Sequence, residues 1–188
     1  MVPESMESLL ADKLVEVITD WCINHVPIDD DSRADHVILG KPTDERRDEI
    51  VISIHMQHPL GPGQDQTFLA EGTPRNLMER PYHWPSETWG GMRTEAIIGA
   101  VQVNYREKLT QSEGLRIVSA VNTRIKQAIN QDIRLKSLTD DMGNFMSSIQ
   151  TFRGQGYSSG AKDITIDLRW VSFRAWVHTT NQRITLSA

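Results

Sequence analysis

A chain of 188 residues with 38% apolar residues is long enough for one ordinary domain with a core of its own. At this size about 70% of the unfolded chain's surface is buried on folding, so the core needs no metal or disulfide to hold it, and the single cysteine, Cys22, has no mate within the chain. The net charge of −5 argues against a non-specific nucleic-acid binder, no apolar run approaches the ~20 residues of a membrane span, and the acidic start Met1–Ser5 lacks the basic region of a signal peptide.

The first pattern is helical. Leu10, Leu14, Val17, Ile18, Trp21 and Cys22 recur at helical spacing over residues 5–25, with Ser5 placed to cap the first turn and Pro27 to end the run. Cys22 lies within this apolar stripe and reads as a small buried hydrophobe. Asp29–His36 is an acidic turn whose spacing does not match a calcium loop, so it reads as a solvated loop. Val37–Leu39 is a short strand at most. Glu49–Met56 alternates, with Ile50, Ile52, Ile54 and Met56 on one side and Val51, Ser53 and His55 on the other, which predicts a strand with one face on the core.

Residues 57–93 hold five of the eight prolines and five of the twelve glycines and show little periodicity. A long irregular stretch within a domain marks function or disorder, and Phe68, Leu69, Leu77, Met78, Tyr82, Trp84 and Trp89 are too apolar for a solvated linker. Two readings stay open: an extended arm that docks on a neighbouring subunit, or a segment that folds over its own sheet.

The most regular stretch follows. Ile97, Val101, Val103 and Tyr105 share one face of a strand running to Glu107. Thr110-Gln111-Ser112-Glu113 is a capping box. Leu115, Val118, Val121, Ile125, Ala128 and Ile129 then form the apolar stripe of a long helix, Gln111–Gln131. Glycines and serines make residues 139–162 mostly loop, with Met142, Phe145, Met146, Ile149 and Phe152 at near-helical spacing inside it. The end of the chain is strongly β. Ile164, Ile166, Leu168 and Trp170 alternate on one face, and then Val171, Phe173, Ala175 and Val177 take the other phase. Either a bulge falls near Trp170–Val171, or the strand turns inside-out along its length. Residues 164–178 extended span ~50 Å, and a strand that outruns its own sheet suggests pairing with a partner. The expected fold is therefore α/β in the α+β sense: an antiparallel or mixed sheet packed by an N-terminal helix and one long central helix, in a single domain over 1–188 with an arm or loop insertion at 57–93.

No catalytic motif stands out, and the expectation is of no catalytic residue, no cofactor and no metal. There is no H-E-x-x-H, no C-x-x-C, no G-x-S-x-G elbow and no phosphate-binding loop; Gly154-Gln155-Gly156 reads as loop flexibility. Two rival readings remain. One is a small metal-dependent hydrolase in which His55, His58 and His83 meet an acid from Asp29–Asp35 when the long loop folds back. The other is a single-stranded nucleic-acid module using Trp170, Trp176 and neighbouring arginines as a stacking face.

The order of elements carries a resemblance. An amphipathic N-terminal helix leads to a strand at Glu49–Met56 and a long excursion. A second strand, Glu95–Glu107, runs into the capped helix Gln111–Gln131. A glycine-rich segment and the terminal strand Ile164–His178 close the chain. This resembles the tail-terminator and tail-completion (neck) proteins of tailed bacteriophages, most closely at Ile97–Ile129 and at the last strand. The resemblance implies a non-enzymatic structural protein of the virion, assembled in the host cytoplasm. Six copies would form a ring that caps the tail tube, stops its growth and meets the head connector, with DNA passing through the lumen without specific binding. The partners implied are further copies of the chain, the tail tube protein and the connector or adaptor, and no membrane. The residues singled out for contacts are Tyr82, Trp84 and Trp89 in the excursion and Arg169, Arg174 and Trp176 on the last strand.

Overall fold

The computed structural model describes residues 5–27, 30, 32–40, 49–56, 92–107, 111–161 and 164–180. Helix α1 spans Met6–Thr19. The Ser5 side chain caps it by accepting from the Ser8 amide at 3.2 Å. The helix widens into a π-helical turn, Asp20–Asn24, closed by the His25 amide donating to the Asp20 carbonyl at 2.9 Å. Strand β1 is His36–Leu39, β2 is Ile50–Met56 and β3 is Met92–Glu107. Helix α2 covers Gln111–Gln131 and is followed by a 3₁₀ turn at Ile133–Leu135. Strands β4, Phe145–Ala161, and β5, Ile164–Thr180, end the described chain.

These strands make one five-stranded mixed sheet in the order β1-β2-β3-β5-β4, with β1 and β2 parallel and every other pair antiparallel. Both helices lie on one face of it, as an α+β fold requires. Leu10, Leu14, Val17 and Ile18 of α1 and Val118, Val121, Ile125, Ala128 and Ile129 of α2 are fully buried there. They meet Ile52 and Ile54 of β2, Val101 and Val103 of β3, and Val171, Phe173 and Ala175 of β5 in a single core cluster. The stripes read from helical and alternating periodicity thus face one another across one interface. The capping threonine of α2 and the excursion with Tyr82, Trp84 and Trp89 lie outside the described residues.

Two expectations need correction. The stretch 139–162 is mainly strand. Asp140 organises a turn by accepting from the amides of Met142 and Asn144, and β4 then runs from Phe145. Register shifts between Met146 and Ser148 and between Thr151 and Arg153 put Met146 and Ile149 on the same core face three residues apart. Two bulges therefore imitate helical spacing. Secondly, β5 does not outrun its sheet. It pairs with β3 from Thr165 to Thr180 and with β4 from Ile164 to His178, so it is an internal strand with both ladders filled by its own chain. Its phase change is the inside-out alternative: the β3 ladder is unbroken past Trp170–Val171, and the shifts sit in β4 instead. Within the acidic turn, Asp30 is tied to helix α2 while its side chain stays 32% exposed. Asp30 pairs with Arg124 of α2 and with the Ser32 hydroxyl, and Arg124 also donates to the Ser32 carbonyl at 3.0 Å.

Candidate functional site

Strand alternation sorts the contact residues by face. Positions paired directly across a ladder share a face, so Arg169, opposite Val103, stands on the helix-facing side with the core valines. Arg174, opposite Ile98, and Trp176, opposite Ala96, stand on the other side, over which no helix among the described residues packs. The structure brings Arg174 and Trp176 together and separates Arg169 from them. The Arg169 Nε is buried without a hydrogen-bond partner.

On the helix-free face Arg174 is clamped between two rings. Its guanidinium carbon lies 5.0 Å from the centre of Phe152 and 5.6 Å from that of Trp176, within cation–π range. Arg174 is 3% exposed, and burial pulls its pKa below the ordinary arginine value. One row further, Phe145 and His178 pair across β4 and β5 with ring centres 4.7 Å apart. Burial also lowers the His178 pKa and so favours neutral imidazole. Phe152 reaches this face from the second β4 bulge, which is why plain alternation could not find it.

The same face holds buried polar groups. Ser53 and Ser172 are 0% exposed, and among the described residues neither Oγ has a hydrogen-bond partner; nor does the Asn104 Nδ2. By register Ser53 lies beside Gln102, and Ser172 beside Ala100. Gln102 donates to the Asn104 Oδ1 at 2.7 Å, which leaves the Asn104 amide nitrogen as the unsatisfied end. A partnerless buried polar group costs roughly 1–3 kcal/mol, so these three lower the stability of the protomer. These serines and the asparagine carried no sequence signal beyond their even or odd position.

Elsewhere the charged groups satisfy one another. A cleft of 470 Å³ beside the π turn is lined by Asp20, Trp21, His25, Arg124, Gln127 and Arg134. Arg134 there holds Asp132 at 2.9 Å, Asp20 at 2.5 Å and Glu16 at 3.2 Å, while the Trp21 indole donates to Asp132 at 2.8 Å. This network ties α1 to the turn after α2. The hydrolase reading rests on residues that are only in part among the described ones. His55 sits on β2, His58 and His83 lie outside the described residues, and Asp30 is committed to Arg124 and Ser32. Among the described residues no three His, Cys, Asp or Glu side chains group to hold a metal, and no helix is long and apolar enough to cross a membrane.

No protein-family model and no curated protein matches the chain. The helix-free face thus combines an aromatic-clamped arginine with buried hydroxyls and an amide.

Proposed function

We propose that the chain is a non-enzymatic structural protein of a tailed-bacteriophage neck, whose copies form a hexameric ring on the tail tube. The ring caps the tube, stops its growth and meets the head connector, with DNA passing through the lumen. The observation that carries this reading is the one-sided packing of the sheet. Both helices cover one face, and on the other Arg174, 3% exposed, is clamped by Phe152 and Trp176 near the fully buried Ser53 and Ser172. The sheet also ends on two different margins, β1 on one side and β4 on the other, and a head-to-tail ring needs two different surfaces. The order of helix, strand, strand, capped helix and closing strands supports the same reading through its resemblance to neck proteins. The net charge of −5 suits a lumen past which DNA slides. The reading places the protein in the virion neck, after assembly in the host cytoplasm.

The test is light scattering of the purified chain, alone and mixed with tail tubes, followed by electron microscopy of the mixture. Rings in solution or seated on tube ends are the expected result. A strict monomer that also leaves tube ends bare overturns the proposal.

A further inference from the structure

Four rows of the sheet run through all five strands. The first is His36–Val51–Asn104–Leu168–Tyr157 and the last is Leu39–Ile54–Val101–Val171–Gly154. The outer edge of β1 and the 154–157 stretch of β4 therefore stand at the same height on opposite margins. Their directions also match. β1 runs with β2, against β3, with β5 and against β4. A second copy set beside the first in the same orientation brings its β1 antiparallel to β4.

The β4 edge is guarded unevenly. Near its start the Met146 amide donates to the Leu138 carbonyl at 2.9 Å, and Thr139 bridges Phe145. At the second bulge Asn130 of α2 accepts from the Thr151 amide at 2.9 Å and donates to its hydroxyl at 2.8 Å. Beyond that point no strand among the described residues pairs with the outer edge, and 154–161 contains no proline and no charged residue, the usual guards of an open edge. On the opposite margin β1 offers Val37-Ile38-Leu39, with Leu39 52% exposed.

We infer that β1 of one copy adds to β4 of the next, His36–Leu39 pairing antiparallel with Gly154–Tyr157, so that one sheet continues across the subunit boundary. In this register Leu39 falls opposite Gly154 and Val37 opposite Gly156. Both glycines occupy helix-facing positions, opposite Val171 and Arg169 of β5, and leave room for the leucine and valine of the incoming strand. Backbone hydrogen bonds supply the attraction, and the glycine-against-branched-residue match supplies the register. The contact is heterologous, and equal heights relate successive copies without a shift along the strands. A heterologous contact of this kind builds a ring when the rotation between successive copies closes. The inference deepens the ring reading above and rests on it for the number of copies.

The test is a Leu39→Cys/Gly154→Cys double variant, oxidised and run on a non-reducing gel. Directly paired positions hold their Cβ atoms about 4.5–5.5 Å apart, close enough for the strands to settle into a disulfide. A ladder of covalent oligomers ending at the ring size is expected, whereas Leu39→Cys/Ser148→Cys, with its second thiol at another height, gives a single monomer band. Wild-type oligomers by light scattering with no ladder overturn this contact and leave the ring reading standing. A wild-type chain that stays monomeric with and without tail tubes, and no ladder, overturns both. Leu39→Lys gives an independent answer, because the residue is exposed and thermal melting stays unchanged. Its expected effect is at least a tenfold weaker self-association, and unaltered assembly overturns the contact.

Discussion

The Phe173 ring lies across Gly99, its direct partner on the neighbouring strand. A Cβ built on Gly99 would come within 2.7 Å of the Phe173 Cε1, within 2.7 Å of the His55 carbonyl oxygen, and closer still to the Phe173 Cζ. Gly99 is thus the slot that lets the largest fully buried side chain lie flat on the sheet. Gly99→Ala should destabilise the fold by about 1–3 kcal/mol through overpacking against backbone that cannot move aside. Phe173→Ala should cost about 3–5 kcal/mol. In the double variant the two costs should fall short of their sum, since removing the ring removes the clash. Urea unfolding of the four proteins measures this coupling, and strict additivity would refute the contact.

Gly99 also shows what sequence alone could and could not convey. The helix stripe Val118–Ile129 and the alternation of Ile50, Ile52 and Ile54 follow from periodicity, because each packs one face on one layer. β4 was hidden because each bulge shifts the phase of everything after it, and Met146 and Ile149 became three-apart neighbours that mimic a helix. The second face of β2 was likewise unreadable: Val51 and Ser53 are buried although they fall on the side opposite the helices. At the candidate site the pairing of Arg174 with Trp176 was legible, two residues apart on one strand. The exclusion of Arg169 was equally legible from parity once the strand was known to have no bulge. Phe152 and the partnerless serines depend on the β4 bulge and on what lies across the sheet, and neither is written locally.

The ties of Asp132 make a pH prediction. The Arg134 side chain, then its amide and the Trp21 indole, hold the Asp132 carboxyl well below the usual carboxylate range. A lowered folded pKa means that the unfolded chain takes up the proton first. The stabilisation is therefore complete above the unfolded aspartate value of about 3.9 and fades as pH falls below it towards the folded value. Asp132→Asn should lose stability at pH 6 and narrow the gap from wild type as the pH is lowered through this window. Arg134→Ala, which strips the main partner from a carboxylate 9% exposed, should cost about 1–3 kcal/mol at pH 6. Thermal melts between pH 2.5 and 6 measure both, and a gap that stays constant across that range would refute the assignment.

Cys22 should be silent until the protein unfolds. Burial pushes its thiol from 9.0 up to about 12, so almost no thiolate forms in the folded state at pH 8. A chromogenic disulfide reagent at that pH should react at the rate of local or global opening, and adding denaturant should accelerate it by orders of magnitude. The raised value also carries a stability term with the opposite sign to that of Asp132. It is fully present below 9.0 and is lost as the pH climbs towards about 12, because the unfolded thiol ionises first. Cys22→Ala should flatten that alkaline loss while leaving a small cavity penalty at neutral pH.

Ser53 and Ser172 separate the stability of the protomer from its assembly. Each hydroxyl is fully buried on the helix-free face with no hydrogen-bond partner among the described residues. Ser53→Ala and Ser172→Ala should therefore leave the isolated chain as stable as wild type or raise it by up to about 1 kcal/mol, since the folded state no longer strands a desolvated hydroxyl. Both side chains are already closed off within the protomer, so a neighbouring copy does not reach them and assembly should not depend on them. The double variant should then melt at or above the wild-type temperature as a protomer and form as many rings at equal concentration. Melting curves paired with light scattering read the two effects separately. A drop in protomer stability would show that the hydroxyls are bonded within the chain, and a loss of rings would show that this face opens on assembly.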